Sequence, residues 1–318
     1  MSKCCITGGA GFIGSHLVTF LHAQGMEIGV LGRKPAPERA LPAGVHYVQG
    51  DLDHQGQLEE ALKGTTEIVH LAYSTVPRTS YEDPVRDILA NLPPAVRLLE
   101  AASRVGVRKV VLASSGGTVY GRAREIPISE EHPTNPISPY GITKLALEKY
   151  GLMFHYLADL PVVIVRPGNA YGEGQRPFTG QGFVATAMGS ILCHREIVLF
   201  GEQGTIRDYL HVDDVVHGIA AALEHGVPGS AYNIGSGVGH TNHEILEVIN
   251  PLARAAGYQP RIRIVPPRPF DVPISVLDCQ KLRRDANWQP KIPLEEGLQR
   301  TWNWFQAQRW PAPKTGPR

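Results

Sequence analysis

The sequence predicts an α/β fold in which a parallel β-sheet is covered by helices on both faces, and three observations support this prediction. Short apolar runs alternate with longer amphipathic segments through the first half of the chain, which is typical of strand–helix–strand units. A glycine-rich turn follows the first apolar run. The 318 residues are enough for one large α/β unit or for two linked domains.

Six apolar runs are predicted strands, and four segments with helical spacing of apolar residues are predicted helices. Because crossovers between parallel strands have one hand, helices of this length should cover both faces of the sheet. The predicted strands are 4–6, 28–31, 45–48, 68–71, 110–113 and 162–165, and the predicted helices are 12–24, 57–62, 85–103 and 139–156.

The second half of the chain is less regular. Glycine and proline cluster at 166–182, and short segments alternate irregularly after that point. We therefore predict a first domain of residues 1–166, to which a segment at about 207–234 returns. A smaller α/β domain should consist mainly of residues 167–318, and its last residues, 311–318, should form a frayed tail.

Composition excludes several classes of partner. A net charge of +1 argues against nucleic acid or an anionic membrane, since both favour a basic excess. No apolar stretch approaches the roughly 20 residues that span a bilayer. The four cysteines have neither metal-site spacing nor a disulfide pattern, and no signal peptide is evident, so we expect a cytoplasmic protein without a metal.

The glycine-rich turn is the first motif that indicates chemistry. Gly8 permits a tight turn, Gly11 lets a pyrophosphate approach the backbone, and Gly14 permits close helix–strand packing. Phe12 and Ile13 lie between the last two glycines and open the helix. No Gly-Lys-Ser/Thr follows, which excludes a P-loop. The motif predicts a dinucleotide site, and with it a Rossmann-type doubly wound sheet.

The end of the second strand bears on the choice of dinucleotide. An acidic residue there would bind the hydroxyls of the adenosine ribose, but this chain has Gly32 followed by Arg33. Space and positive charge suit a 2′-phosphate, so the local chemistry favours NADP over NAD. A variable, solvated turn is the alternative interpretation. Asp51 and Leu52, after the third strand, are placed to contact the adenine ring.

Tyr140 and Lys144 form a candidate catalytic pair. They follow a helix-start signal at Ser138-Pro139 and are spaced to share one helix face. The pKa of a phenol, near 10, must fall by about 3 for a base at neutral pH, which is roughly 4 kcal/mol. A neighbouring ammonium supplies about that much in an effective dielectric near 20. An exposed Tyr–Lys pair is the alternative interpretation.

Hydroxyl groups follow the fifth strand. Ser115 and Thr118 lie where the carboxyl edge of a parallel sheet should meet its ligand. One of them could hydrogen-bond a substrate oxygen and share its proton with Tyr140. An ordinary Ser/Thr-rich turn is the alternative interpretation.

Further segments match one known family. The chain resembles the extended short-chain dehydrogenase/reductase superfamily, and most closely its nucleotide-sugar branch around UDP-glucose 4-epimerase. The resemblance extends over nearly the whole chain: the glycine motif at 8–14, residues 70–72, Asn91, residues 114–121, Tyr140 and Lys144, and the segments 166–172, 207–214 and 232–235.

The resemblance implies a C4 epimerase of a UDP-hexose. Tyr140 would take the C4 hydroxyl proton while a hydride passes to the nicotinamide, and the resulting 4-keto sugar would turn and be reduced on its other face. Lys144 would hold the nicotinamide ribose. Leu71, Ala72 and Asn91 would belong to the cofactor site.

The resemblance also implies a substrate site and a dimer. Asn169, Arg207 and Arg268 would hold the uracil end and the diphosphate of a UDP-sugar. Ser275 takes the place of a bulky gate residue of some members, which leaves open whether an N-acetyl group at C2 is admitted. Members of the family commonly form homodimers through helices that correspond to 85–103 and 139–156.

Two departures from the family keep alternatives open. Gly116 replaces the usual catalytic Ser or Thr, so Ser115, Thr118 or a water must supply the hydroxyl. Gly32 replaces the aspartate that helps the epimerases retain NAD, so the resemblance favours NAD while Gly32 and Arg33 favour NADP. The alternative function is an NADPH-dependent reductase of a nucleotide-linked 4-keto sugar. A dinucleotide-sensing protein without catalysis would not need the Tyr–Lys pair.

Overall fold

A computed structural model describes residues 3–268, 271–308 and 310; the predicted tail, 311–318, lies outside the described residues. In chain order the strands are β1 (Lys3–Thr7), β2 (Glu27–Gly32), β3 (His46–Gln49), β4 (Glu67–His70), β5 (Lys109–Ala113), β6 (Val162–Pro167), β7 (Asn169–Tyr171), β8 (Ile197–Phe200), β9 (Ile206–His211), β10 (Ala231–Ile234), β11 (Gly239–Thr241), β12 (Ile262–Val265) and β13 (Ile274–Ser275). The helices are α1 (Phe12–Ala23), α2 (Gln55–Leu62), α3 (Pro77–Glu82), α4 (Pro84–Val105), α5 (Pro139–Ala158), α6 (Phe183–Leu192), α7 (Val212–His225), α8 (Asn242–Ala255), α9 (Gln280–Ala286) and α10 (Leu294–Ala307).

A seven-stranded parallel sheet forms the centre of the molecule. Its strand order is β10-β6-β5-β4-β1-β2-β3, which confirms the predicted doubly wound fold. All six predicted strands and four predicted helices correspond to β1–β6 and to α1, α2, α4 and α5, within two residues at each end. The strand order reverses between β1 and β4, where Thr7 lies opposite both Leu31 and His70. A ligand crevice is expected outside the carboxyl ends of the strands at this point.

The sheet is buried on both faces because its strands are almost continuously apolar. Cys4 and Cys5 show the alternation: they are 0% and 1% exposed, and each packs into the core on a different face. α1 and α7 cover the face of Cys4, while α2, α4 and α5 cover the face of Cys5. The core therefore holds the strand ends, and the loops that follow them, in fixed positions.

The segment predicted to return at about 207–234 divides between two sheets. β10 lies at the edge of the large sheet, where Ala231 pairs with Ile164, and α7 packs on α1. β9, however, pairs with β7, β11 and β13 in a separate small sheet. The chain thus rejoins the large sheet only after β9, and the division into two domains at residue 166 stays a prediction.

A second lobe packs beside the carboxyl edge of the large sheet. It consists of the small sheet around β9, the parallel pair β8–β12, and α6, α8 and α10, which share one apolar core. In α10, Leu298, Trp302 and Phe305 point into that core and are 0%, 2% and 0% exposed. In the described part of the chain, no helix has the length and apolar character needed to cross a bilayer.

Candidate active site

The glycine turn lies between β1 and α1, and backbone packing requires glycine at two of its positions. Gly8 has a φ of +75°, and a Cβ there would lie 2.7 Å from the Ala72 nitrogen. A Cβ on Gly14 would lie 2.2 Å from the Gly8 carbonyl oxygen. A Cβ on Gly11 would meet only that same oxygen, at 3.1 Å, so Gly11 lies on the open side of the turn.

The open side of the turn is the N-terminus of α1. Gly11 is the N-cap, no side chain in the described part of the structure caps the helix, and no acidic residue lies in its first turn. The partial positive charge of the helix end therefore remains available to an anion. Phe12 and Ile13 begin the helix, and Leu71 and Ala72 face the turn from the end of β4, where the Leu71 nitrogen donates to the Thr7 oxygen at 3.0 Å. The turn fits a dinucleotide pyrophosphate.

The end of β2 does not have the space that the sequence suggested. A Cβ on Gly32 would lie 2.5 Å from Tyr47 Oη, so the phenol fills the volume beside Gly32. Tyr47 reaches this place from β3, where it pairs with Val30. Tyr47 therefore takes up the room for a side chain at Gly32, while Arg33, which follows it, is exposed; the role of these two residues in the choice of NAD or NADP stays a prediction. The register of β2 and β3 decides this contact, and it cannot be deduced from Gly32 alone.

Of three other predicted cofactor residues, two follow β3 and the third, Asn91, lies in α4. Asp51 follows β3, and its backbone nitrogen donates to Gln57 Oε1 at 2.9 Å. Leu52 is partly buried against the core on the α4 side. Asn91 is 7% exposed and accepts a hydrogen bond from the Ser74 nitrogen at 2.7 Å. These contacts shape the loops after β3 and β4, while contact with a cofactor stays a prediction for all three.

Tyr140 and Lys144 lie together on the sheet-facing side of α5. Ser138 caps that helix by accepting from the Gly141 nitrogen at 3.2 Å, which sets the register of its first turn. Lys144 is 4% exposed, and its Nζ donates to the Ala113 oxygen, at the end of β5, at 2.8 Å. The same Nζ lies 5.7 Å from the centroid of the Tyr140 ring. The pair is therefore not an exposed helix pair.

Burial dominates the pKa values of this pair. Desolvation lowers the pKa of Lys144 to about 7, although Asp87 and Glu148 oppose that shift. Desolvation also raises the pKa of Tyr140 above its ordinary value, and the negative charge of Asp87 raises it further. The expectation that Lys144 by itself brings the phenol near neutrality is therefore wrong, because burial disfavours the phenolate and the ammonium alike.

Tyr73 is a site residue that sequence reasoning missed. Lys144 Nζ lies 4.0 Å from the centroid of its ring, and the rings of Tyr73 and Tyr140 meet edge to face at 4.9 Å. Tyr73 Oη donates to Asp87 Oδ1 at 3.5 Å, and Asp87 is 0% exposed. The sequence signal for this residue is its position: an aromatic side chain just after β4, at the carboxyl edge of the sheet.

The turn after β5 explains the unusual glycine of this chain. A Cβ on Gly116 would lie 2.5 Å from a methyl group of Leu277 and 2.8 Å from the Arg166 oxygen, so a Ser or Thr does not fit there. Thr118 Oγ1 is buried and has no hydrogen-bond partner among the described residues. Ser115 is partly exposed, and its Oγ lies near Gly117. Both remain candidates for the catalytic hydroxyl.

A buried ion pair holds this turn against α5. Glu148 and Arg166 are each at most 8% exposed, and Arg166 donates to both carboxylate oxygens, at 3.0 and 2.7 Å. Arg166 also donates to Tyr120 Oη at 2.9 Å, and Ser114 Oγ donates to Glu148 Oε1. The hydroxyl of Ser114 therefore serves a structural hydrogen bond to Glu148, and the candidates for the catalytic hydroxyl remain Ser115 and Thr118.

The predicted substrate residues come together around β9. Ser275 pairs with Arg207 and Asn169 pairs with Tyr209, each on a strand beside β9. Ser275 is 3% exposed, and its Oγ donates to the Gly116 oxygen at 3.3 Å. This contact ties the second lobe to the turn after β5.

The two predicted phosphate arginines differ in their surroundings. Burial lowers the pKa of Arg207; Tyr209 and Asp271 oppose the shift, and the charge of Arg268 adds to it. Arg268 pairs with Asp271 at 2.8 Å and lies 4.3 Å from the centroid of the Phe200 ring. Two guanidinium groups close enough to influence each other suit a diphosphate. No group of three or more potential metal ligands occurs among the described residues.

Comparison with known proteins identifies a matching family and similar sequences. The model of the NAD-dependent epimerase/dehydratase family matches residues 4–235. The UDP-glucose 4-epimerase of Mycolicibacterium smegmatis is 37% identical over 313 residues, covering 96% of this chain and 98% of that protein.

Solved structures agree in fold over the same length. The UDP-glucose 4-epimerase of Thermus thermophilus, in complex with NAD, has a TM-score of 0.89 and 38% identity, with 96% of this chain and 99% of that chain covered. The UDP-glucose 4-epimerase of Thermotoga maritima, with UDP-glucose, has a TM-score of 0.90 and 32% identity, with 96% and 98% covered.

Proposed function

The chain belongs to the NAD-dependent epimerase/dehydratase family, and from this premise we propose that it is a nucleotide-sugar C4 epimerase that acts on a UDP-hexose with an enzyme-held NAD. The observation that carries the proposal is the buried Lys144 near the partly buried Tyr140, at the end of β5. A phenol and an ammonium at the carboxyl edge of the sheet can exchange a proton with a bound sugar.

The chain's own residues fit the cofactor. Gly8, Gly11 and Gly14 shape the turn that would receive the pyrophosphate, and the uncapped N-terminus of α1 adds its dipole. Leu71 and Ala72 form the facing wall. When bound, the nicotinamide supplies the acceptor and donor of hydride for the sugar carbon.

Tyr140 is the proton carrier in this proposal. Burial alone keeps this phenol protonated, and Lys144, together with the positive charge of a bound oxidised nicotinamide, would favour the phenolate. As the phenolate, its Oη would take the proton of the C4 hydroxyl while the sugar is oxidised to the 4-keto form, and the phenol so formed would return the proton after the sugar has turned. Ser115 or Thr118 would hydrogen-bond the same oxygen, and the unpartnered Thr118 Oγ1 has a proton free to donate. Lys144, fixed by the Ala113 carbonyl, would hold its positive charge beside the phenol.

The second lobe would hold the nucleotide. Arg207 and Arg268 would bind the diphosphate through their guanidinium groups, and Asn169 would contribute to the uracil end. Ser275 leaves the size of the accepted C2 substituent open. Comparison of UDP-galactose with UDP-N-acetylgalactosamine as substrates decides that point.

The quaternary structure is proposed to be a homodimer. α4 and α5 pack on each other, and their outer side exposes apolar side chains: Val85 and Leu89 are 64% and 62% exposed, and Tyr156 and Leu157 are 72% and 80% exposed. Exposed apolar side chains along two adjacent helices are typical of a protein interface. The four cysteines are free thiols, which supports a reducing, cytoplasmic location.

The test offers UDP-galactose to the purified chain without added nucleotide and follows C4 inversion by NMR. Appearance of UDP-glucose at equilibrium supports the epimerase. Net consumption of NADPH with a nucleotide-linked 4-keto sugar, without inversion, would indicate the reductase instead. Nucleotide binding without turnover of either substrate would indicate a sensing protein and would equally contradict the proposal.

A further inference from the structure

The phenol of Tyr47 occupies the position from which a side chain at residue 32 would grow. A Cβ on Gly32 would lie 2.5 Å from Tyr47 Oη and 3.1 Å from Tyr47 Cζ, closer than real Cβ contacts allow. Tyr47 lies on β3 and pairs with Val30, two residues before Gly32. Glycine at 32 is therefore the residue that leaves the phenol in place.

This position matters because residue 32 ends the second strand of the cofactor sheet. In dinucleotide-binding folds an acidic side chain from this region binds the hydroxyls of the adenosine ribose, and an open, cationic site accepts a 2′-phosphate. We propose that Tyr47 determines the cofactor choice of this chain: its phenol fills the room that a 2′-phosphate needs and thereby selects NAD over NADP. The inference rests on the proposed function, since it concerns the nucleotide of that same site.

One hydrogen bond holds the phenol where it is, and a second joins β3 to the same turn. Tyr47 Oη donates to the Lys34 oxygen at 2.8 Å, and Gln49 Nε2 donates to the Arg33 oxygen at 3.4 Å. Because the phenol donates its hydrogen bond to the backbone carbonyl of Lys34, the lone pairs of Oη remain available as acceptors. An acceptor suits a ribose hydroxyl, which can donate, and not a phosphate oxygen, which cannot.

The surrounding charges also disfavour a 2′-phosphate. Lys34 pairs with Glu38, and Arg176 from the second lobe donates to the same carboxylate at 2.7 Å. Glu38 thus offsets two of the cations near this end of the site. A 2′-phosphate, with a charge of about −1.5 to −2, would meet a carboxylate as well as the exposed Arg33.

The first experiment measures nucleotide choice directly. The purified chain is incubated with an equimolar mixture of NAD and NADP, desalted and denatured, and the released nucleotides are quantified by mass. Wild-type protein should retain mainly NAD. Tyr47→Ala should raise the NADP:NAD ratio by about tenfold, which corresponds to about 1.4 kcal/mol.

The second experiment tests the contact between the two residues. Gly32→Asp should lower the Tm of the otherwise wild-type chain, because the new Cβ displaces the phenol, whereas the same change in a Tyr47→Ala background should lower it less. In the double variant the new carboxylate should also favour NAD more strongly than Tyr47→Ala alone. Gly56→Asp is the matched control, since a Cβ at Gly56 meets nothing within 4 Å.

The outcomes separate this inference from the proposed function. If wild-type protein retains NAD but Tyr47→Ala leaves the nucleotide ratio unchanged, or Gly32→Asp costs the same with and without Tyr47, the role of Tyr47 is overturned while the epimerase proposal stands. If wild-type protein retains neither nucleotide, the proposed function itself fails.

Discussion

Two charged clusters of this molecule respond to burial in opposite ways. The α5 cluster consists of Tyr73, Asp87, Tyr140 and Lys144; the bridging network consists of His16, Glu173, His211, Asp213 and Arg300. In the α5 cluster desolvation prevails, lowering the pKa of Lys144 to about 7 and raising that of Tyr140.

In the bridging network, partners prevail over burial. Arg300 on α10 donates to Glu173 at 3.2 Å and to Asp213 at 2.6 Å, and His211 lies 2.8 Å from the second Glu173 oxygen. Burial opposes the shift, but hydrogen bonds from His211 and the backbone, with the charge of Arg300, lower the pKa of Glu173 to about 2. A hydrogen bond from His16, with further help from Arg300, holds the pKa of Asp213 well below its usual value.

The number of hydrogen bonds to a buried group, and not burial alone, therefore decides whether its charged or its neutral form is favoured. Carboxylates with several donors keep a fixed charge and join α1, α7 and α10. An ammonium held by one carbonyl and two aromatic rings can lose its proton near neutral pH.

The largest effect is expected at the phenol. Tyr140→Phe removes the proton carrier and should lower kcat for C4 inversion by at least about 10²-fold, the usual scale of general acid–base catalysis. Tyr150→Phe, on the exposed side of the same helix, is the control and should retain turnover. Near-wild-type kcat in Tyr140→Phe would remove Tyr140 from the mechanism.

The buried ammonium of Lys144 should make the free energy of unfolding depend on pH. Lys144 has a folded pKa of about 7, below its ordinary 10.5, so between these values the unfolded chain binds more protons and the free energy of unfolding rises with pH. Relative to Lys144→Met, wild-type stability should therefore rise from pH 7 to pH 9, by on the order of 1 kcal/mol per pH unit. Urea unfolding measures it; parallel pH profiles of the two proteins would contradict the buried ammonium.

The bridging network should show its pH dependence of stability at acid pH instead, where the free energy of unfolding again rises with pH. Glu173 has a folded pKa of about 2, below its ordinary 4.5, so its contribution is complete above about pH 5 and is lost as pH falls toward 2. Glu173→Gln should cost about 1–2 kcal/mol at pH 7. That cost should shrink on acidification. A cost that is independent of pH between 7 and 3 would show that the carboxylate charge is not what stabilises the network.

The smallest effect is expected at Tyr73. Tyr73→Leu removes the ring that faces Lys144 at 4.0 Å and should lower kcat about tenfold, from a cation–π contact of about 1–2 kcal/mol. Tyr73→Phe keeps the ring and should restore most of the rate, since the cation–π contact with Lys144 needs the ring and not the hydroxyl. Equal loss in both variants would assign the effect to the hydroxyl instead of the ring.

Much of the fold and part of the site could be predicted because they depend on local patterns. The alternation of apolar runs and amphipathic segments identified β1–β6, and their parallel order followed from helical connections. The glycine turn follows a strand and opens a helix, and Tyr140 and Lys144 are one helical turn apart, so both could be placed without knowing any distant neighbour. Their individual roles stay predictions.

The features that could not be predicted depend on contacts between residues that are distant along the chain. Tyr47 fills the space beside Gly32 through the register of two strands, and Leu277 occupies the place of a side chain at Gly116 from the far end of the chain. The pKa of Lys144 depends on how deeply its ammonium is buried. Periodicity and turn chemistry thus determined the elements and the helix face shared by Tyr140 and Lys144, because they act over a few residues. Steric exclusion and desolvation act through space, and only the tertiary structure decided them.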